Sequence, residues 1–107
     1  MAILSIAKGK MTKDEYKSLG KNVNWEGKHP VGLICHTVAF TGADEILFTD
    51  VWESKDAMNT FFENRMLPGL KEMGFTVPAI QDYPVHDMKI FKMLENMPGL
   101  VEVTAIS

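Results

Sequence analysis

The chain has a single cysteine, Cys35, so no disulfide forms within it, and no His-x-His or Cys-x-x-Cys pair supplies the close ligands of a structural zinc site. Arginine is equally scarce. Arg65 stands alone among ten scattered lysines, and a net charge of −3 leaves no basic stripe to neutralise a run of phosphates, which argues against nucleic-acid binding. No apolar run approaches the roughly 20 residues needed to span a bilayer, and the stretch 2–7 has neither the preceding basic region nor the length of a signal peptide. The expectation is a cytoplasmic protein with no membrane partner, no metal and no cofactor.

What is present points to a folded domain. With 46% hydrophobic and 23% charged residues the composition is that of a globular protein, and 107 residues support one core. The expected division is a domain over 1–91 and a C-terminal extension over 92–107, in which 100–106 has the character of an extra strand. Residues 2–7 read as a central strand. Thr12 then caps a short helix with Asp14 and Glu15 in its first turn, and the helix is expected to stop at Gly20. Residues 22–30 form an irregular connection carrying Trp25, whose ring either covers the edge of the core or acts as a lid. Ser54 caps a second helical run whose stripe of Met58, Phe61, Phe62, Met66, Leu70 and Met73 faces the core, with a kink or restart expected near Met66 because of Pro68 and a stop at Gly74. Residues 83–91 supply a last strand.

Between the helices, 31–41 and 45–53 are rich in β-branched and aromatic residues and form a hairpin around Gly42-Ala43. If Thr41 faces Asp44, one face carries Leu33, Cys35, Thr37 and Ala39 with Ile46, Phe48, Asp50 and Trp52. The other carries Ile34, His36, Val38 and Phe40 with Leu47, Thr49 and Val51. Both faces are largely apolar, so the sheet is expected to be covered twice, once by its own helices and once by a second copy of the chain. The order β-α-β-β-α-β defines a ferredoxin-like α+β fold with a four-stranded antiparallel sheet, expected to close into a dimeric α+β barrel.

Four segments carry a resemblance: Gly32-Leu33-Ile34-Cys35-His36, Asp50-Val51-Trp52-Glu53-Ser54, Arg65-Met66-Leu67-Pro68 and Pro84-Val85-His86. In these the chain resembles the antibiotic biosynthesis monooxygenase-like branch of the dimeric α+β barrel superfamily, over about residues 2–90. Relatives tend to have asparagine after the final histidine where this chain has Asp87. The resemblance implies cofactor-independent oxygenation of an electron-rich aromatic compound or, in a neighbouring branch, haem degradation. The latter would want a histidine on the helix after the hairpin, and 54–74 contains none.

Oxygenation without a cofactor needs an apolar cavity that orients a flat substrate and a base that turns it into an electron-rich anion. His36, His86 and Asp50 are the candidates for proton handling. Trp52, Phe48, Phe61, Phe62 and Trp25 are the candidates for cavity walls. Each has a plainer role as well: a hydrogen-bonded structural histidine, a carboxylate accepting from a loop amide or from Trp25, and core aromatics. His36 and His86 belong to opposite edge strands and are expected to meet only across a dimer. The alternative to an enzyme is a non-catalytic dimeric module that binds a small apolar ligand.

Overall fold

The computed structural model describes residues 1–25 and 27–90. The expected strand at 100–106 and the extension over 92–107 lie outside the described residues. Strand β1 (Ile3–Lys10) alternates buried Ile3, Ser5 and Ala7 with half-buried Leu4 and Ile6, the signature of a strand with one covered face. Helix α1 (Lys13–Val23) starts at a capping box. The Thr12 hydroxyl accepts from the Glu15 N–H at 3.2 Å while the Thr12 N–H donates to Glu15 Oε1 at 2.9 Å. The helix runs through Gly20, one turn further than expected, because the extra turn buries Val23 beside Leu19 and then closes on Asn24. Asn24 adopts a left-handed conformation (φ 62°), and its N–H donates to the Gly20 carbonyl.

Strands β2 (Leu33–Gly42) and β3 (Glu45–Trp52) form the expected hairpin, but their register corrects the assignment of faces. The reversal falls on Ala43-Asp44, and two irregularities, between Leu33 and Cys35 and between Phe40 and Gly42, shift β2 by one residue over the stretch they enclose. His36 therefore pairs with Asp50, Val38 with Phe48 and Phe40 with Ile46. Since a one-residue slip exchanges the faces of a strand, His36, Val38 and Phe40 join Asp50 and Trp52 on the helix-covered side. Cys35, Thr37 and Ala39 move to the open side, where all three are exposed.

Gly32, just before β2, is required in two ways. Its φ is +83°, and a Cβ there would lie 2.7 Å from the Cβ of Ala57. Helix α2 (Lys55–Phe61) is capped by the Ser54 hydroxyl, which accepts from the Ala57 N–H at 3.1 Å. A π-helical turn over Phe62–Met66 then leads into α3 (Leu67–Glu72). Pro68 lacks an N–H and crowds the carbonyl four residues earlier, and the widened turn absorbs both effects, so the α-helix restarts at Leu67. Gly69 lets α3 lie against α1, because a Cβ there would come within 2.9 Å of Asn22 Oδ1 and 3.4 Å of Val23 Cγ2.

Strand β4 (Ile80–Pro84) starts before the expected position and stops at Pro84. The reason is its partner: Pro84 faces Ile3 at the start of β1, and only one further hydrogen bond follows, from the Val85 N–H to the Ala2 carbonyl at 2.9 Å. His86 thus lies beyond the sheet and is exposed. The sheet order is β2-β3-β1-β4, all antiparallel, with the helices on one side, a ferredoxin-like α+β fold. Ile3, Met11, Leu19, Val23, Ile46, Trp52, Met58, Phe61 and Leu70 form the buried core. No helix among the described residues is long and apolar enough to cross a membrane.

Candidate functional site

The helix-covered face of the sheet is apolar except for one row. At a single level across the four strands the register aligns His36, Asp50, Ser5 and Asp82. The level below holds Leu33, Trp52, Ile3 and Pro84, and the level above holds Val38, Phe48, Ala7 and Ile80. A polar row in an apolar face costs desolvation unless its members find partners, so its hydrogen bonds define the site.

Asp50 Oδ1 lies 2.6 Å from His36 Nδ1, and both side chains are 15% exposed. The other ring nitrogen, Nε2, is 2.8 Å from the Tyr16 hydroxyl, presented by α1. An ionised Asp50 carboxylate only accepts, so in that contact Nδ1–H is the donor, and the hydrogen bond between Nε2 and the Tyr16 hydroxyl completes a chain Tyr16–His36–Asp50. At the outer end of the row Asp82 is 3.5 Å from Lys55 Nζ, a largely exposed pair of little energetic weight.

Trp25 lies over this chain. Its ring stacks on His36 with centroids 4.4 Å apart and on Phe61 at 5.1 Å. The loop that carries it is tied down by Arg65, whose Nη2 donates to the carbonyls of Val23 (2.7 Å), Asn24 (3.1 Å) and Lys28 (2.6 Å) while its guanidinium sits 5.0 Å from the Phe61 ring centroid. Burial lowers the guanidinium pKa below its ordinary value. Trp25 therefore covers the core, as the plainer of its two expected roles has it, and it does so on top of His36.

Between sheet and helices lies a cavity of about 70 Å³. Asp50, Trp52, Phe48, Phe61 and Phe62 are in its wall, together with Ser5, Met58 and Met66. His36 and Trp25 are not. His36 reaches the cavity only through Asp50, and His86 is not in its wall. Both nitrogens of His36 are engaged within the chain on the helix-covered side, so the expected pairing with His86 across a dimer has no nitrogen to use. The indole Nε1 of Trp52 is buried without a hydrogen-bond partner among the described residues, as is that of Trp25. An orphaned N–H costs about 1–3 kcal/mol and is rarely kept without cause.

Sequence reasoning passed over Tyr16, Ser5 and the carbonyl contacts of Arg65. A tyrosine on the buried face of a capped helix and a serine alternating with Ile3 and Ala7 in a buried strand were the available signals. Among the described residues, no group of three His, Cys, Asp or Glu side chains is placed to hold a metal ion.

A ferredoxin-like sheet with a polar row opening on an apolar cavity defines the class. Neither a family model nor a curated protein matches the sequence. The fold, however, is shared with antibiotic biosynthesis monooxygenase-like proteins. SnoaB from Streptomyces nogalater, a cofactor-independent oxygenase, superposes with a TM-score of 0.63 at 12% identity, over 81% of this chain and 95% of its own. Rv0793 from Mycobacterium tuberculosis gives 0.63 at 12% identity, over 82% and 98%. A Deinococcus radiodurans protein, a candidate antibiotic biosynthesis monooxygenase, gives 0.61 at 15% identity, over 85% and 99%.

Proposed function

We propose that the protein is a cofactor-independent monooxygenase-like enzyme acting on a small aromatic compound, with Asp50 as the proton acceptor. The observation that carries this reading is the double position of Asp50. It is a wall of the cavity and at the same time the inner end of the Tyr16–His36 chain. A carboxylate held in one orientation by His36 can take a proton from an acidic hydroxyl or C–H of a bound ring, and the anion so formed can give an electron to dioxygen. His36 and Tyr16 act through Asp50 and are positioning residues.

The cavity is roughly half the volume of one that accepts benzene, so occupancy requires Met58 and Met66, which are flexible, to give way. The fold shared with SnoaB supports the reaction class. The open side of the sheet, with half-buried Leu4, Ile6, Leu47 and Val51, supports association of two copies into a barrel.

Oxygen uptake with a panel of phenols, hydroquinones and anthrones tests the assignment. Consumption by the wild type that disappears in Asp50→Asn, at unchanged stability, is the expected result. Binding of the same compounds without oxygen consumption would instead identify a non-catalytic binding module.

A further inference from the structure

Ser5 is 7% exposed, stands at the middle of the central strand and lines the cavity, and its hydroxyl, without a hydrogen bond to another described residue, is not among the fully enclosed unpartnered atoms and so is open to the cavity. Its neighbours on the same face of β1, Ile3 and Ala7, are apolar, so an alanine would serve packing as well. Ser5 is the cross-strand partner of Asp50. Directly opposed residues in an antiparallel pair have Cβ atoms about 4.5–5.5 Å apart, so hydroxyl and carboxylate reach the cavity side by side.

We propose that Ser5 determines specificity for a ring bearing oxygens on two adjacent carbons. One oxygen carries the proton given to Asp50, and the other accepts from the Ser5 O–H. The ring itself rests among Ala7, Phe48, Phe61 and Ile80. Asp50 can only accept and Ser5 has a hydroxyl proton to give, so the pair matches a vicinal diol or hydroxyketone edge better than a lone phenolic oxygen. The inference rests on the reading of the cavity as a substrate site.

The test compares catechol and phenol binding to wild type and Ser5→Ala by calorimetry, alongside thermal unfolding of the ligand-free proteins. Wild type is expected to bind catechol about tenfold more tightly than phenol, and Ser5→Ala to lose that margin while its phenol affinity is unchanged. Its melting temperature is expected to stay within about 2 °C of wild type, since the hydroxyl makes no hydrogen bond within the protein to lose. Equal catechol affinity in the two proteins, or a melting temperature lowered by about 4 °C or more, overturns the proposal. If wild type binds phenol but shows no preference for catechol, the proposal fails while the substrate-site reading stands. If it binds neither, the substrate-site reading fails and takes the proposal with it.

Discussion

The ring of Trp25 lies on the imidazole of His36, 4.4 Å between centroids and 28° between planes, and Arg65 holds the loop that puts it there through three backbone carbonyls. All three contacts come from Nη2, whose two N–H groups are shared among the carbonyls, while the flat guanidinium sits 5.0 Å from the Phe61 ring centroid, a position a lysine ammonium does not reproduce. Arg65→Met is expected to cost about 1–2 kcal/mol in urea unfolding, a discounted figure because two of the three hydrogen bonds are exposed and their carbonyls rehydrate. It should also make one of the two tryptophans more accessible to acrylamide. Arg65→Lys, with a single compact head group, should recover less than half of the loss. Quenching that stays at the wild-type level in Arg65→Met would show that Trp25 does not need the clamp.

The His36–Asp50 pair separates orientation from chemistry. Asp50→Asn keeps an oxygen for Nδ1–H to donate to, so its stability should stay within about 1 kcal/mol of wild type while any oxygen consumption is lost. His36→Phe keeps a ring for Trp25 but leaves a carboxylate without its partner in a largely buried place. A loss of about 3 kcal/mol is expected, measured by urea unfolding. If Asp50→Asn proves the more damaging of the two to stability, the pair is structural first.

Tyr16→Phe removes one hydroxyl and preserves the ring that packs against Phe40 and Phe48. The expected cost is about 1 kcal/mol. The decisive measurement is the nitrogen-15 spectrum of the His36 side chain. In wild type Nδ1 should carry the proton and Nε2 should accept, and in the variant the Nε2 resonance should move toward that of an unbonded ring nitrogen.

The bulges also make a claim about the open face. Cys35, assigned from the regular register to the helix side, is exposed on the opposite side together with Thr37 and Ala39. In a monomer its thiol should react with a disulfide reagent as fast as a free thiol. If two copies close a barrel over this face, the reaction should slow as concentration rises, and Val51→Asp, on the same face of the neighbouring strand, should restore it. A thiol that is inert at every concentration, in Val51→Asp as well, would return Cys35 to the core.

The helix caps, the restart near Pro68, the order of elements and the facing of β3 were all legible in the sequence, because each follows from local chemistry: a capping hydroxyl, a missing N–H, an alternation of apolar residues. The His36–Asp50 contact was not. Both residues stood out singly, but a bulge near Ile34 and another at Thr41-Gly42 decide whether they share a face; Gly42 reads equally as part of the turn, and no glycine marks the bulge at Ile34. Tyr16 and Ser5 matter through what the sheet and α1 bring beside them, an arrangement with no spacing in sequence. The end of β4 is set by where β1 begins, so no property of residues 83–91 could give it.

Gly32 turns the geometry in front of β2 into a measurable quantity. An alanine there meets two obstacles: a φ of +83°, costly for any residue with a Cβ, and the Ala57 methyl 2.7 Å away. Gly32→Ala is expected to destabilise by about 2–4 kcal/mol in urea unfolding. The two causes separate in a double variant. Ala57→Gly alone should cost about 1 kcal/mol for a glycine inside α2, but combined with Gly32→Ala it removes the collision and leaves only the backbone strain. The double variant should therefore be more stable than the sum of the two single changes predicts. Strict additivity would mean that the first turn of α2 gives way to the new methyl, and that the strand start is held by the dihedral angle alone.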